Sequence, residues 1–263
     1  MRPPVFSRIF VAAGTVLVFW MNCPKDTAGF WSKTPSASQS ESSGTKSSQP
    51  CPALDLKEMR ERLAFQEKQL PQDGNSRVEG FTEMARLSFV LGELEERDER
   101  EKYYEKGKYY AQLLCGEEPA RVEGHYWLAL NICGLAEVGG ARRALGLIPA
   151  IIHELDAAAA IDETYDQAGP HRILGRIYCK APCWPLSEGD MGKSYHHLSI
   201  AVRLAPGNST NHLYLAETLV QLGKREEASR ELEDVMEPTC HAIFPHNLEE
   251  DHQDAILLLK HCK

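Results

Sequence analysis

The chain has 263 residues, 43% of them hydrophobic and 25% charged, with a formal net charge of −9. That balance supports a buried core in one domain or two small ones. It argues against nucleic-acid binding, which needs clustered Lys and Arg to displace counterions, and against general adhesion to anionic lipid.

At the N-terminus, Arg2 and Arg8 lead into an uninterrupted apolar run from Ile9 to Met21. The run is shorter than the roughly 20 residues that span a bilayer comfortably. A basic start followed by a short apolar stretch marks residues 1–23 as a signal peptide or membrane anchor. Cys23 follows at once, as in a bacterial lipoprotein, although Asn22 stands where a small residue is usual. Cys23 is therefore a candidate for lipidation, beside cleavage nearby or retention as a short anchor. Residues 24–51 include the stretch "SKTPSASQSESSGTKSSQP", nearly free of large apolar side chains. Such a segment buries too little surface to offset its ordering entropy, and reads as a disordered tether. The folded domain is expected over residues 52–263.

A first helix is expected from Leu54 to Leu70. Helical hairpins follow. In the first, Leu87, Val90, Leu91 and Leu94 face Gly107, Ala111 and Leu114, and Pro119 closes the unit. In the second, Leu128, Ile132 and Leu135 precede a turn at Gly139 and a stripe of Ala144, Ile148 and Ile151. Pro149 lies within that stripe, so a kink or break is expected there. The third unit has a helix from Pro170 through Tyr178, with Leu174, Gly175 and Tyr178 on its stripe. Its second helix carries Ser194, Leu198 and Ala201, and Pro206 closes it. The fourth is the most regular: Leu215, Ala216 and Leu219, a turn at Gly223, then Ala228, Leu232 and Val235. A last helix is expected from Leu248 to His261.

The spacing of these stripes looks like the tetratricopeptide repeat, a helix-turn-helix unit of about 34 residues. The expected fold is an all-α, tetratricopeptide-like solenoid of about four irregular repeats with flanking helices. A single hairpin cannot cover its own apolar face, but a stack of three or more can. The third unit departs from the pattern. "KAPCWPLSEGD" replaces its short turn, and "AIDETYDQAG" lengthens the connection before it. Pro182 and Pro185 stiffen the insert, and Ser187 to Asp190 suit a turn and a helix N-cap. Trp184 either plugs a gap in the stack or serves as a contact on a repeat scaffold.

The block "DQAGPHRILGRIYCKAPCWP…GD" and the later "AVRLAP", set among degenerate repeats behind a signal-like N-terminus, resemble the T-component of TRAP transporters. The resemblance covers roughly Arg77 to Pro238. It implies a non-catalytic binding or scaffold protein of the bacterial cell envelope, an accessory component of solute transport at the periplasmic face. The implied partner is a periplasmic solute-binding protein or another envelope protein, and the implied ligand a small organic molecule. His171, Arg172, Gly175, Trp184 and Asp190 become candidate functional positions by this resemblance. A more distant likeness is to eukaryotic regulators of microtubule dynamics, which are also membrane-tethered helical-repeat adaptors.

His171 and Tyr178 are seven residues apart and share a helix face. With Arg172 and Trp184 they compose the elements of a carboxylate-binding groove, an aromatic wall with one guanidinium. The competing reading is that His171 and Arg172 bond the carbonyls of the long preceding loop. Of the eight cysteines, Cys179 with Cys183 and Cys240 with Cys262 are candidate disulfide pairs, although spacing does not settle connectivity. Cys179 and Cys183 are also the residues a thiol- or metal-dependent enzyme would use. As a zinc set, Cys179, Cys183, His196 and His197 are poorly spaced, because consecutive histidines diverge by about 100° on a helix. No phosphate loop, nucleophile elbow or HExxH motif occurs, so neither catalysis nor a cofactor is expected. "YWLALN", Tyr126 to Asn131, reads as core, and "LEERDEREKYYEKGK" as a solvated face. The tail histidines His241, His246, His252 and His261 read as solvated.

Overall fold

The structure is a computed structural model that describes residues 56–69, 74–236 and 247–262. Among these the secondary structure is helical, apart from an isolated bridge between Cys183 and Gly189. The signal-like segment with Cys23, the tether, Cys240, His241 and His246 lie outside the described residues.

The helices are α1 (Leu56–Lys68), α2 (Gly74–Leu94), α3 (Arg97–Glu117), α4 (Val122–Val138), α5 (Gly140–Ile161), α6 (Tyr165–Lys180), α7 (Met191–Leu204), α8 (Ser209–Gln221), α9 (Arg225–Val235) and α10 (Asn247–Cys262). Consecutive helices pack as hairpins, and alternate helices also touch: α2 meets α4, α4 meets α6, and α6 meets α8. That pattern defines a solenoid, with α2, α4, α6 and α8 as an inner row and α3, α5, α7 and α9 outside. Helix α1 covers one end by packing on α2. Helix α10 covers the other by packing on α8 and α9. There Ser209 and Thr210 hydroxyls each donate to Asp251 Oδ2 at 2.8 Å.

The predicted stripes form the core. Leu87, Val90, Leu91, Ala111, Leu114, Ile148, Ile151, Leu198, Ala201, Leu215, Leu219, Ala228, Leu232 and Val235 are all buried. Gly223 takes the left-handed φ of +77° that the fourth hairpin requires. In the second hairpin that conformation falls on Gly140 (φ +76°) rather than on Gly139. Gly175 lets α6 and α7 close together, since a Cβ there would stand 2.4 Å from Leu198 Cγ.

Two local expectations are corrected. Helix α5 runs unbroken through Pro149. The proline is exposed, so water can meet the Leu145 carbonyl that its missing N–H leaves open. Past a turn of opposite hand at Asp166, Gln167 and Ala168, described below, the right-handed part of α6 starts beside Pro170, as expected. The charge-rich segment is only partly solvated. Arg100 is buried, donating to Gly92 O (2.9 Å), Glu137 Oε1 (3.1 Å) and the Tyr104 hydroxyl (3.0 Å). Mixed charge alone does not reveal that these groups satisfy one another inside the stack.

Candidate functional site

The third repeat carries the features that set this chain apart from a regular array. Between Asp162 and Gly169 the backbone makes one turn of left-handed helix. Asp166 (φ 49°, ψ 47°), Gln167 (φ 56°, ψ 51°) and Ala168 (φ 63°, ψ 34°) all adopt it, and none is glycine. Each costs about 1–2 kcal/mol relative to right-handed backbone, so the turn persists only if its surroundings hold it.

Arg172 holds it. The side chain is fully buried. One guanidinium nitrogen donates to Asp166 O (3.2 Å) and Gln167 O (3.1 Å), and the other to Asp166 Oδ2 (2.9 Å). The Tyr126 hydroxyl donates to the same carboxylate. Asn211 of α8 donates from Nδ2 to Gln167 O (3.2 Å), and Asn208 Nδ2 to Gln167 Oε1 (2.7 Å). Three inner helices therefore converge on the turn. Burial pushes the Tyr126 hydroxyl well above its usual range, with Asp166 adding to the effect, so it remains a donor.

One turn further along α6, Arg176 is buried against Glu217 of α8, which also pairs with Lys180 at 2.9 Å. Arg176 lies 4.2 Å from the Tyr214 ring centroid. Burial acts to raise the Glu217 carboxyl, but Arg176 and Lys180 outweigh it and hold the group below the ordinary Glu range. Every residue of α6 from Ala168 to Cys179 is buried. The inner wall is thus closed over here, and both arginines are committed to the protein itself. The carboxylate-binding role conceived for Arg172 meets this geometry as a correction: its guanidinium takes the carbonyl-bonding role instead.

The opposite face of α6 gathers His171 and Tyr178 around His197 of α7. His171 Nδ1 lies 2.9 Å from His197 Nδ1, and His171 Nε2 is 3.6 Å from Glu163. The Tyr178 ring stacks on His197 with centroids 5.6 Å apart, and Lys193 Nζ sits 5.0 Å from the Tyr178 centroid. Burial lowers the pKa of His197 to about 4, with His171, His196 and Lys193 contributing. Burial also lowers that of His171, against the opposing pull of Glu163. The two rings therefore share a neutral hydrogen bond near pH 7.

The insert follows. Gly189 N donates to Pro182 O (2.9 Å) and Leu186 N to Cys183 O (3.1 Å) within the loop, while Ala181 N to Ile177 O (2.8 Å) and Asp190 N to Tyr178 O (2.9 Å) pin its two ends to α6. The Trp184–Pro185 bond is cis. Asp190 is the N-cap of α7, its carboxylate accepting from Gly192 N (2.8 Å) and Lys193 N (3.0 Å). Trp184 is 86% exposed and Leu186 69%. Trp184 plugs no gap in the stack.

The structure therefore brings His171 and Tyr178 together, turns Arg172 to the opposite side, uses Asp190 as a cap and leaves Trp184 on the surface. Cys179 is buried without a disulfide, its sulfur 3.4 Å from Gln221 Nε2, and Cys183 sits half-buried in the loop. Cys262 is half-buried, also without a disulfide. The rings of His196 and His197 meet edge to face, with centroids 5.5 Å apart and planes at 75°. His252, expected to be solvated, encloses its Nε2 among buried atoms. Sequence reasoning missed Asp166, Gln167 and Asn211, and weighed His197 only as a zinc ligand rather than as the partner of His171. For His197 a register signal existed: His125, His171 and His212 each stand three residues before a stripe leucine, at Leu128, Leu174 and Leu215. His212 pairs with Glu231 of its outer helix at 2.7 Å, and His197 occupies the place of that glutamate in the third repeat.

With this architecture the protein belongs to the class of tetratricopeptide-like helical solenoids. Its fold is similar to that of a thermophilic TPR protein of Thermus thermophilus. The TM-score is 0.56 at 20% sequence identity, over 77% of this chain and 92% of that one. Neither a family model nor a curated protein matches the sequence.

Proposed function

We propose that the protein is a non-catalytic scaffold of the cell envelope, tethered to a membrane by its N-terminal segment and contacting its partner through the 181–190 loop. The observation that carries this reading is the presentation of Trp184 and Leu186 to solvent on a loop whose backbone is bonded to α6 at both ends. A large exposed ring is a standing cost in water. A pre-ordered loop spares the ordering entropy of association, and tryptophan is enriched among the residues that dominate binding energy. The sequence block that resembles the TRAP T-component includes this loop. That supports an accessory role in solute transport, with a periplasmic solute-binding protein as the partner and a small organic molecule as the cargo.

The test pairs binding with stability. Trp184→Ala in the full chain is expected to weaken binding to the solute-binding protein, measured by calorimetry, at least tenfold, as hot-spot truncation does. Its melting temperature should stay within about 2 °C of the parent, because the side chain touches little of the fold. Equal loss of stability and binding would reduce the tryptophan to packing. Binding that is absent in the parent chain would refute the transport partner.

A further inference from the structure

Away from the third repeat, three side chains from three consecutive helices converge. Cys115 lies near the end of α3, His125 in the first turn of α4 and Glu154 on α5. The Cys115 sulfur, a His125 ring nitrogen and a Glu154 carboxylate oxygen all lie within 4.8 Å of one another, and each residue is half-buried. From these donors we infer a zinc-binding site that ties α3, α4 and α5 together.

Tetrahedral zinc with sulfur at about 2.3 Å and nitrogen or oxygen at about 2.0–2.2 Å places its donors roughly 3.3–3.8 Å apart. The donors, all within 4.8 Å of one another, stand at most about an ångström outside that spacing. His125 is already oriented for it. Nε2 is bonded to Pro119 O at 3.0 Å, while Nδ1 points at Glu154 Oε2, 2.7 Å away. A backbone carbonyl on the far nitrogen is the outer-shell partner that fixes a ligating imidazole in its tautomer. Gly124 leaves the thiol its space, since a Cβ there would stand 2.9 Å from Cys115 Sγ. Burial, with Glu154 beside it, pushes the Cys115 thiol up to about 11, so without metal a protonated sulfur faces a carboxylate. A divalent ion replaces the thiol proton. The resulting thiolate and carboxylate together balance its two charges. The soft sulfur and the imidazole select zinc over magnesium or calcium, and the fourth position falls to water.

The fourth repeat supplies an internal contrast. His212 makes the same two bonds, Nε2 with Pro206 O at 2.8 Å and Nδ1 with Glu231 at 2.7 Å, but Asp234 is the third group. The histidine–glutamate–carbonyl brace thus recurs in the solenoid, and what sets the first copy apart is the soft sulfur of Cys115 where the other has a carboxylate.

The full-length chain, reduced and stripped with a chelator, is titrated with Zn2+ alone and with Co2+ alone. One zinc per chain should bind with proton release and a raised melting temperature, and cobalt should show sulfur-to-metal charge-transfer absorption. Cys115→Ser should abolish that absorption and weaken zinc at least about 100-fold, the upper end of what loss of even an outer partner does. Glu154→Gln should weaken zinc at least about tenfold. His212→Gln should leave both readouts unchanged. Absence of stoichiometric zinc, charge-transfer absorption that survives in Cys115→Ser, or zinc binding lost in His212→Gln would each overturn the assignment.

Discussion

Replacing Arg172 by methionine keeps most of the side-chain volume and removes the guanidinium that braces the left-handed turn. Three residues in that conformation carry about 3–6 kcal/mol of backbone cost, at 1–2 kcal/mol each. The bonds to Asp166 O, Gln167 O and the Asp166 carboxylate offset it, being charge-assisted and shielded from water on the arginine side. Removing one partner of a buried ion pair typically costs about 3–5 kcal/mol. The Asp166 side chain is 28% exposed and can recruit water, so the lower end applies, about 3 kcal/mol. Urea unfolding of the parent, Arg172→Met, Asp166→Asn and the double variant measures it. The two positions should couple by about 1–3 kcal/mol, because they share one network. If Arg172→Met stays within about 0.5 kcal/mol of the parent, or the double variant is additive, the turn does not depend on this arginine.

Acid should destabilise the protein through the His171–His197 pair. Both rings have lowered pKa values, so below the ordinary value near 6.5, and for His197 down to about 4, the unfolded chain binds protons that the native state refuses, and stability falls as pH falls. For His197 the loss from pH 6.5 to 5 is about 2 kcal/mol, or about 1 once halved for solvent screening of a half-exposed ring. His197→Asn should flatten the pH dependence of the melting temperature over that window, and parallel curves would refute it. His153, Lys193, His196, Asp156 and Glu163 stay in place in that comparison. His212 has the opposite sign. Burial opposes its charge, but Glu231, the Pro206 carbonyl and Asp234 outweigh it and raise the pKa. Its contribution is full below about 6.5 and fades as pH rises through the folded value. His212→Gln should therefore lower the melting temperature more at pH 6 than at pH 8.5, and an equal shift at both would show that the imidazolium is not what braces the repeat.

The hairpin stripes were legible because helix packing repeats along the chain. Leu215, Ala216 and Leu219 opposite Ala228, Leu232 and Val235 recur with a fixed offset, and the inner helices bury those residues as the period demands. The insert was legible as a departure from that period, and Asp190 as a cap from its place before a helical stripe. The candidate site was less so. Nothing local in "YDQAGPHR" announces three left-handed residues, since only Asp among them tolerates that backbone well. The turn exists because Arg172, Tyr126 and Asn211 reach it from separate helices.

Periodicity and an insert are one-dimensional properties, so the sequence alone determined an all-α repeat and the place where it breaks. Which polar groups face inward is a matter of partners 26 to 46 residues apart, as with His171 and His197 or Arg172 and Tyr126. A buried charge survives only where such partners converge. The tertiary structure therefore decided that Arg172 looks inward, that Trp184 looks out, and that Cys115, His125 and Glu154 meet.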